Sequence, residues 1–347
     1  MLNKSNKDKL KWKMNYINNR MDILIKTLLN NKNKKVFILG TPIHGNLGDQ
    51  AIIYAEFIFL RRYLPEYEII EIPTDLVSRV SSFINKMLKE NDLIFIHGGG
   101  NMGDLYQNEE EVRRFIVNFF KENKIISFPQ SIYFENNSQE LTKSINSYSI
   151  NNNFILVARE NVSKEFMDLN FNNNEVILTP DIVFSLKLND KGMIRKGIST
   201  FFRTDKEKAV SSEYQLSLIN TLRDQNYQVT ESDTHITNNY YIYDKNRLKY
   251  LQKIWREFNG SEVIITDRLH GMIFAYITAT PCIVLKNSNP KIESTYYTWL
   301  KNCNYMRLID ENTSMEELVI IINKVKNVVP DYKSMDQSFM PLLSMFK

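Results

Sequence analysis

Short apolar runs alternate with longer stretches in which apolar residues recur every three or four positions. Residues 35–40 (KVFILG) read as a strand ending at a glycine turn, and 50–63 as the helix after it. The strand 68–73 (EIIEIP) precedes a helix over 74–89, and the strand 92–97 (DLIFIH) runs into three glycines. A helix over 109–122, the strand 124–129 (KIISFP) and the strands 154–158 and 176–179 continue the series. Strands of four to six apolar residues, each followed by a helix, indicate a parallel sheet covered on both faces.

The alternation restarts at 198–202 (ISTFF) and continues through 227–230, 263–266 and 282–285, with room for a helix between each pair. The polar segment 188–197 (LNDKGMIRKG) is the linker candidate, and 134–152, rich in Asn and Ser, reads as a surface excursion around a helical stretch. The predicted fold is therefore α/β, with two Rossmann-like domains, 36–190 and 191–347, facing a central cleft. The second domain includes the C-terminal tail.

The first 35 residues differ. Ten Lys and Arg stand against Asp8 and Asp22, and Leu10, Met14, Ile17, Met21, Leu24 and Leu28 form one apolar stripe. Such a basic amphipathic helix packs on the domain or lies on an anionic membrane surface, and both readings stay open. Over all 347 residues, 44 Lys+Arg against 40 Asp+Glu argue against a nucleic-acid-coating protein. Two cysteines offer neither a disulfide framework nor a zinc site. A mean hydropathy of −0.34, with no long apolar stretch or secretory signal, predicts a cytoplasmic protein, peripheral at the membrane if the basic helix binds there.

Candidate chemistry collects at strand ends. The loop 40–49 (GTPIHGNLGD) brings Asn46, Gly48 and Asp49 to a helix N-terminus, where free N–H groups suit an anion; Asp49 alternatively caps that helix. Gly98, Gly99 and Gly100 expose bare backbone, to a ligand or to a neighbouring segment. In 263–271 (VIITDRLHG), Arg268 and His270 sit where a helix begins. A cation lies badly with the helix dipole there unless an anion joins it. The structural alternative is an Asp267–Arg268 ion pair. Arg159 and Lys286 follow strands in corresponding positions. No residue spacing points to a metal or a cofactor.

Residues 45–51 (GNLGDQA), 96–101 (IHGGGN), 126–130 (ISFPQ), 157–160 (VARE), 179–181 (TPD) and 267–271 (DRLHG) stand in the order and approximate spacing of one family. The chain resembles the polysaccharide pyruvyl transferases over about residues 36–290. The resemblance implies a GT-B-like fold and transfer of a pyruvyl group from phosphoenolpyruvate to a sugar. His270 would then be the general acid, and Arg159, Arg268 and Lys286 the donor-binding cations. Asn46, Gly48, Asp49 and Gly98–Gly100 would border the acceptor. Gln50 stands where many relatives place an acidic residue, so no base is carried over there.

The acceptor would be a sugar or a lipid-linked oligosaccharide of an exopolysaccharide or cell-surface glycan. A GT-B glycosyltransferase using a nucleotide sugar and a non-catalytic glycan-assembly partner are the competing readings. A homo-oligomer is an open partner reading.

Overall fold

The computed structural model describes residues 34–346 apart from 136–137, 191, 204–209, 237–241 and 288–289, together with Asn18, Met21, Asp22 and Ile25. The basic helix expected over 1–35 lies outside the described residues except for those four positions and Lys34 and Lys35, which open the first strand.

Two parallel sheets carry the chain. In the first, β1 (Lys34–Thr41) lies between β2 (Tyr67–Pro73) and β3 (Leu93–Ile96). From β3 the sheet extends through β5 (Ile125–Ser127) and β7 (Phe154–Ala158) to β8 (Val176–Leu178). Two strands run on beyond the glycine and proline breaks. β4 (Gly99–Gly103) continues β3, β6 (Gln130–Tyr133) continues β5, and the two pair in parallel. The second sheet has the order β10 (Val229–Ser232), β9 (Ile198–Phe201), β11 (Val263–Thr266), β12 (Cys282–Leu285), β13 (Met306–Ile309). The sequence pattern did not reveal β13.

In both sheets the strand order reverses between the first and third strands of the unit, and ligands collect at such a point outside the C-terminal strand ends. The helix Leu47–Tyr63 packs between the units. Its residues Leu47, Ala51, Ile52, Ile53, Ala55, Phe59 and Leu60 are all buried, so it is apolar nearly all round. Against it lies the helix Asp244–Gly260, with the rings of Tyr54 and Trp255 5.6 Å apart. One buried cluster therefore runs from Val36 and Ile38 through this helix to Ile264 and Met272 of the second unit.

A second tie is made by backbone. Leu47 N–H donates to Thr234 O at 2.9 Å, Ile236 N–H to Gly45 O at 2.9 Å, and Asn46 bridges to His235. The segment after Lys326 crosses back to the first unit. Phe339 lies 5.3 Å from Phe59, and Phe346 meets Phe95 edge-on at 5.5 Å. No helix among the described residues is long and apolar enough to cross a membrane.

Candidate active site

A cleft of about 290 Å³ opens between the units. Its walls come from the segments after strands: His44, Asn46 and Asp49 after β1, and Gly100 and Asn101 within β4. Arg159 follows β7, Arg203 follows β9, Leu269 and His270 follow β11, and Asn287 and Lys291 follow β12. Of the residues expected from the sequence, His270, Arg159, Asn46, Asp49 and Gly100 line this cleft.

Arg159 is 2% exposed and held on several sides. Its Nε donates to Ser131 Oγ at 2.6 Å and its Nη1 to Asp181 Oδ2 at 2.7 Å, while the Trp299 indole N–H donates to its carbonyl at 2.8 Å. A methyl group on Gly100 would come within 2.8 Å of Arg159 Nη2 and 3.3 Å of Lys291 Nζ. Glycine therefore keeps open the space between these two cations. Lys291 Nζ donates to Gly100 O at 2.8 Å.

His270 begins the helix Leu269–Ile277, whose N-terminus no side chain caps among the described residues. The positive end of that helix faces the cleft through Leu269 and His270. His270 Nε2 stands 3.7 Å from Asp181 Oδ2, the oxygen that accepts from Arg159. Burial alone would push the Asp181 carboxyl up, but His270 and Arg159 outweigh it and hold it down to about 2. Asp181 is thus a buried anion that holds a cation by a hydrogen bond and faces the candidate acid across 3.7 Å. The sequence analysis noted its motif, TPD, without giving it a role.

The helix after β1 begins at Leu47, with Asn46 as its cap: Oδ1 accepts from Gly48 N–H at 2.9 Å. Asp49 is therefore not the cap. It lies in the cleft with His44 Nε2 3.7 Å away. Gln50 is buried, its amide donating to the carbonyls of Pro42 and His44 at 3.1 Å each, and its Oε1 accepts from Arg247 Nε at 2.8 Å. It fastens the loop instead of reaching the cleft.

Five expected residues stand elsewhere. Arg268 Nη2 pairs with Asp233 Oδ1 at 2.7 Å, which fixes the segment that bridges to residues 45–47. The Asp267–Arg268 pair, the structural alternative, does not form through these atoms; instead Asp267 Oδ1 accepts from Arg203 N–H at 2.8 Å. Burial pushes the Asp267 carboxyl up to about 6. Lys286 Nζ pairs with Glu293 at 2.9 Å, and Lys291, one turn into the next segment, takes the place in the cleft. Gly48 lies beneath the His270 ring. Gly98 packs against Pro129 O, and Gly99 adopts φ +124 beside Ile52. The neighbouring-segment reading thus holds for Gly98, and of the three glycines only Gly100 lines the cleft.

His97 is also structural. Its Nδ1 lies 2.9 Å from Glu56 Oε2, while Glu56 Oε1 accepts from Gly98 N–H at 2.7 Å. Burial pushes the Glu56 carboxyl up, and His97 and the Gly98 N–H oppose it. This pair holds the turn from which Gly100 and Asn101 project.

Arg203, Lys291, Glu109, Tyr106 and His235 line the cleft without having been singled out from the sequence. For Arg203 the signal existed, since it follows a strand as Arg159 does. His235 arrives only through the backbone bridge to Asn46.

The sequence model of the family described as polysaccharide pyruvyl transferase matches residues 46–289. General stress protein 30 of Bacillus subtilis (strain 168) is 36% identical over 322 residues, 92% of this chain and 93% of that protein. Pyruvyl transferase 1 of Schizosaccharomyces pombe is 33% identical over 288 residues, 78% of this chain and 71% of that protein. Among solved structures, the UDP-GlcNAc 2-epimerase of Neisseria meningitidis superposes with a TM-score of 0.52 at 11% identity. That match covers 89% of this chain and 98% of the epimerase, and it shows the GT-B fold. The motifs, the two facing sheets and the family match agree: this chain belongs to the polysaccharide pyruvyl transferase family.

Proposed function

We propose that the chain moves the pyruvyl group of phosphoenolpyruvate onto two hydroxyls of a sugar, forming a ketal during synthesis of a bacterial exopolysaccharide or cell-surface glycan. The observation that carries this reading is the set of groups around Gly100. Arg159 and Lys291 flank it, Arg203 lines the same cleft, and the uncapped helix N-terminus at Leu269 carries His270 there. Phosphoenolpyruvate presents a phosphate and a carboxylate, and each charge-assisted hydrogen bond to them contributes about 1.5–3 kcal/mol.

The enol methylene must gain a proton, the enol carbon must accept two hydroxyl oxygens, and the bond to phosphate must break. His270 donates the proton, with the Asp181 carboxylate close by as its counter-charge; Arg159, Arg203 and Lys291 stabilise the charge that leaves with phosphate. Phosphoenolpyruvate is consumed as a substrate, so the reaction calls for no cofactor. The acceptor is a sugar, free or in a lipid-linked oligosaccharide.

Thermal unfolding with phosphoenolpyruvate, beside a panel of nucleotide sugars, tests the donor. A ligand at ~100 times its dissociation constant adds about 2.7 kcal/mol, a readable shift. A shift with phosphoenolpyruvate is expected. A shift with one nucleotide sugar and none with phosphoenolpyruvate would make the chain a glycosyltransferase instead.

A further inference from the structure

The cleft has a part outside the cations and the helix N-terminus assigned above to the donor. Tyr106 and Glu109 both line it: Tyr106 is the residue before the helix Gln107–Phe119 and Glu109 lies in the first turn of that helix. Tyr106 is 37% exposed, and Lys291 Nζ lies 6.0 Å from its ring centre, so the ring borders the cation site. Glu109 forms no hydrogen bond or ion pair with any described residue. Its neighbour Glu110 is the opposite case: buried, and bonded to Arg113, Tyr148, Ser144 and the Gly103 N–H. The fold uses one carboxylate and leaves the other facing the cleft.

The edge that carries Tyr106 is fixed. Asp104 accepts from Glu135 N–H at 2.6 Å and from Ser138 Oγ at 2.7 Å, tying the end of β4 to the end of β6. Gly103 is paired in register with Tyr133, and its φ of +115 leaves no room for a side chain against the Tyr133 carbonyl. Leu105 and Tyr133, 55% and 41% exposed, therefore extend the surface outward from Tyr106.

We infer that Tyr106 and Glu109 form the acceptor shelf, which takes a pyranose ring face-on against Tyr106 and directs one of its hydroxyls to the Glu109 carboxylate. A pyranose offers a face of C–H groups to an aromatic ring and a rim of hydroxyls to an acceptor, and this pair of side chains supplies both. This assignment rests on the pyruvyl-transfer reading for its chemistry. Glu109 takes the proton of the first attacking hydroxyl as its oxygen bonds to the enol carbon, while His270 gives a proton to the methylene. The second hydroxyl then adds as the bond to phosphate breaks with its electron pair. Two hydroxyl protons are lost in all; one is matched in the new methyl group and the other leaves with phosphate.

The test uses the full chain, phosphoenolpyruvate, and the methyl pyranosides of glucose, galactose, mannose and N-acetylglucosamine, with binding followed by saturation-transfer NMR. At least one pyranoside should saturate the wild type. Tyr106→Ala should weaken it about tenfold or more, while Tyr106→Phe and Tyr106→Trp keep most of the affinity, because the ring face survives. Glu109→Gln should bind both ligands yet release phosphate about 100-fold more slowly.

Equal pyranoside affinity in Tyr106→Ala and wild type, or no saturable pyranoside alongside a clear phosphoenolpyruvate shift, overturns the shelf and leaves the donor reading standing. Pyranoside binding that depends on Tyr106, with no response to phosphoenolpyruvate, overturns the donor reading and keeps the shelf. Undiminished phosphate release by Glu109→Gln removes that residue from the proton step.

Discussion

Gly48 and His270 come from different units, and the imidazole lies so close to Gly48 that a Cβ there would collide with Nδ1. Gly48→Ala should therefore push the ring away from Asp181 while leaving the helix Leu47–Tyr63 intact, since alanine favours a helix over glycine. The expected result is an unchanged or higher unfolding midpoint and at least a tenfold loss of kcat, which is about 1.4 kcal/mol of transition-state stabilisation. Phosphate release and thermal unfolding on one preparation check it. Wild-type kcat would show that the ring need not be held there.

Two buried carboxylates should give opposite pH trends. Asp181 is held below its ordinary 3.8, at about 2, so the stability it contributes is fully present above pH 3.8 and lost only as pH falls through about 2. Asp267 is raised to about 6, so its charge costs nothing below 3.8 and the full penalty is felt above about 6. Asp181→Asn should lower stability by about 3 kcal/mol, almost equally at pH 5 and pH 7. It removes the carboxylate hydrogen-bonded to the buried Arg159 and leaves, among the described residues, only Glu160, 3.5 Å from its Nε, to balance that charge. Asp267→Asn should raise stability at pH 7 and lose that gain by pH 4. Urea unfolding across pH 4–7 reads both slopes, and parallel slopes would contradict the assignment.

Lys291 and Lys286 separate the cleft from its surroundings. Lys291→Ala should weaken phosphoenolpyruvate by about 1.5–3 kcal/mol. Lys286→Ala should stay within about twofold, since it removes only a partly exposed pair with Glu293, of a kind that contributes little. Donor titrations of both variants decide it, and equal losses would return Lys286 to the cleft.

Gln50→Glu would place an acidic residue at a buried position of the helix Leu47–Tyr63, and it should destabilise the fold. The amide donates to two carbonyls, and a carboxylate would face both of them without a donor. Arg247 offsets part of the cost through the remaining oxygen. A loss of about 1–3 kcal/mol is expected at pH 7, shrinking toward low pH as burial favours the protonated acid. Denaturant midpoints at pH 5 and pH 8 check it.

Most of the sheet framework could be read in advance because parallel strands buried on both faces are nearly continuous apolar runs, as in Phe154–Ala158 and Cys282–Leu285. β4 and β6 escaped because GGNMG and QSIY carry no such run; they are strands through backbone pairing alone. β13 escaped because its Arg307 is exposed and it pairs on one side only. At the site, strand ends pointed to Arg159 and His270, both of which line the cleft. They could not tell which way a side chain turns: Arg268 goes to Asp233 and Lys286 to Glu293, while Arg203 and Lys291 turn inward. Direction depends on which partner folding brings alongside, near in the chain for Lys286 and Glu293 but distant for His270 and Asp181, and a strand end alone does not encode it.

The return of the segment after Lys326 to the first unit has a consequence for synthesis. Phe59 and Phe95 emerge from the ribosome well before Phe339 and Phe346, which pack on them from beyond the second unit. Until then the nascent first unit carries an uncovered aromatic patch, of the kind that chaperones recognise and neighbouring chains adhere to. Folding of the first unit is thus completed only after the second unit has been made, by residues that follow it in the chain.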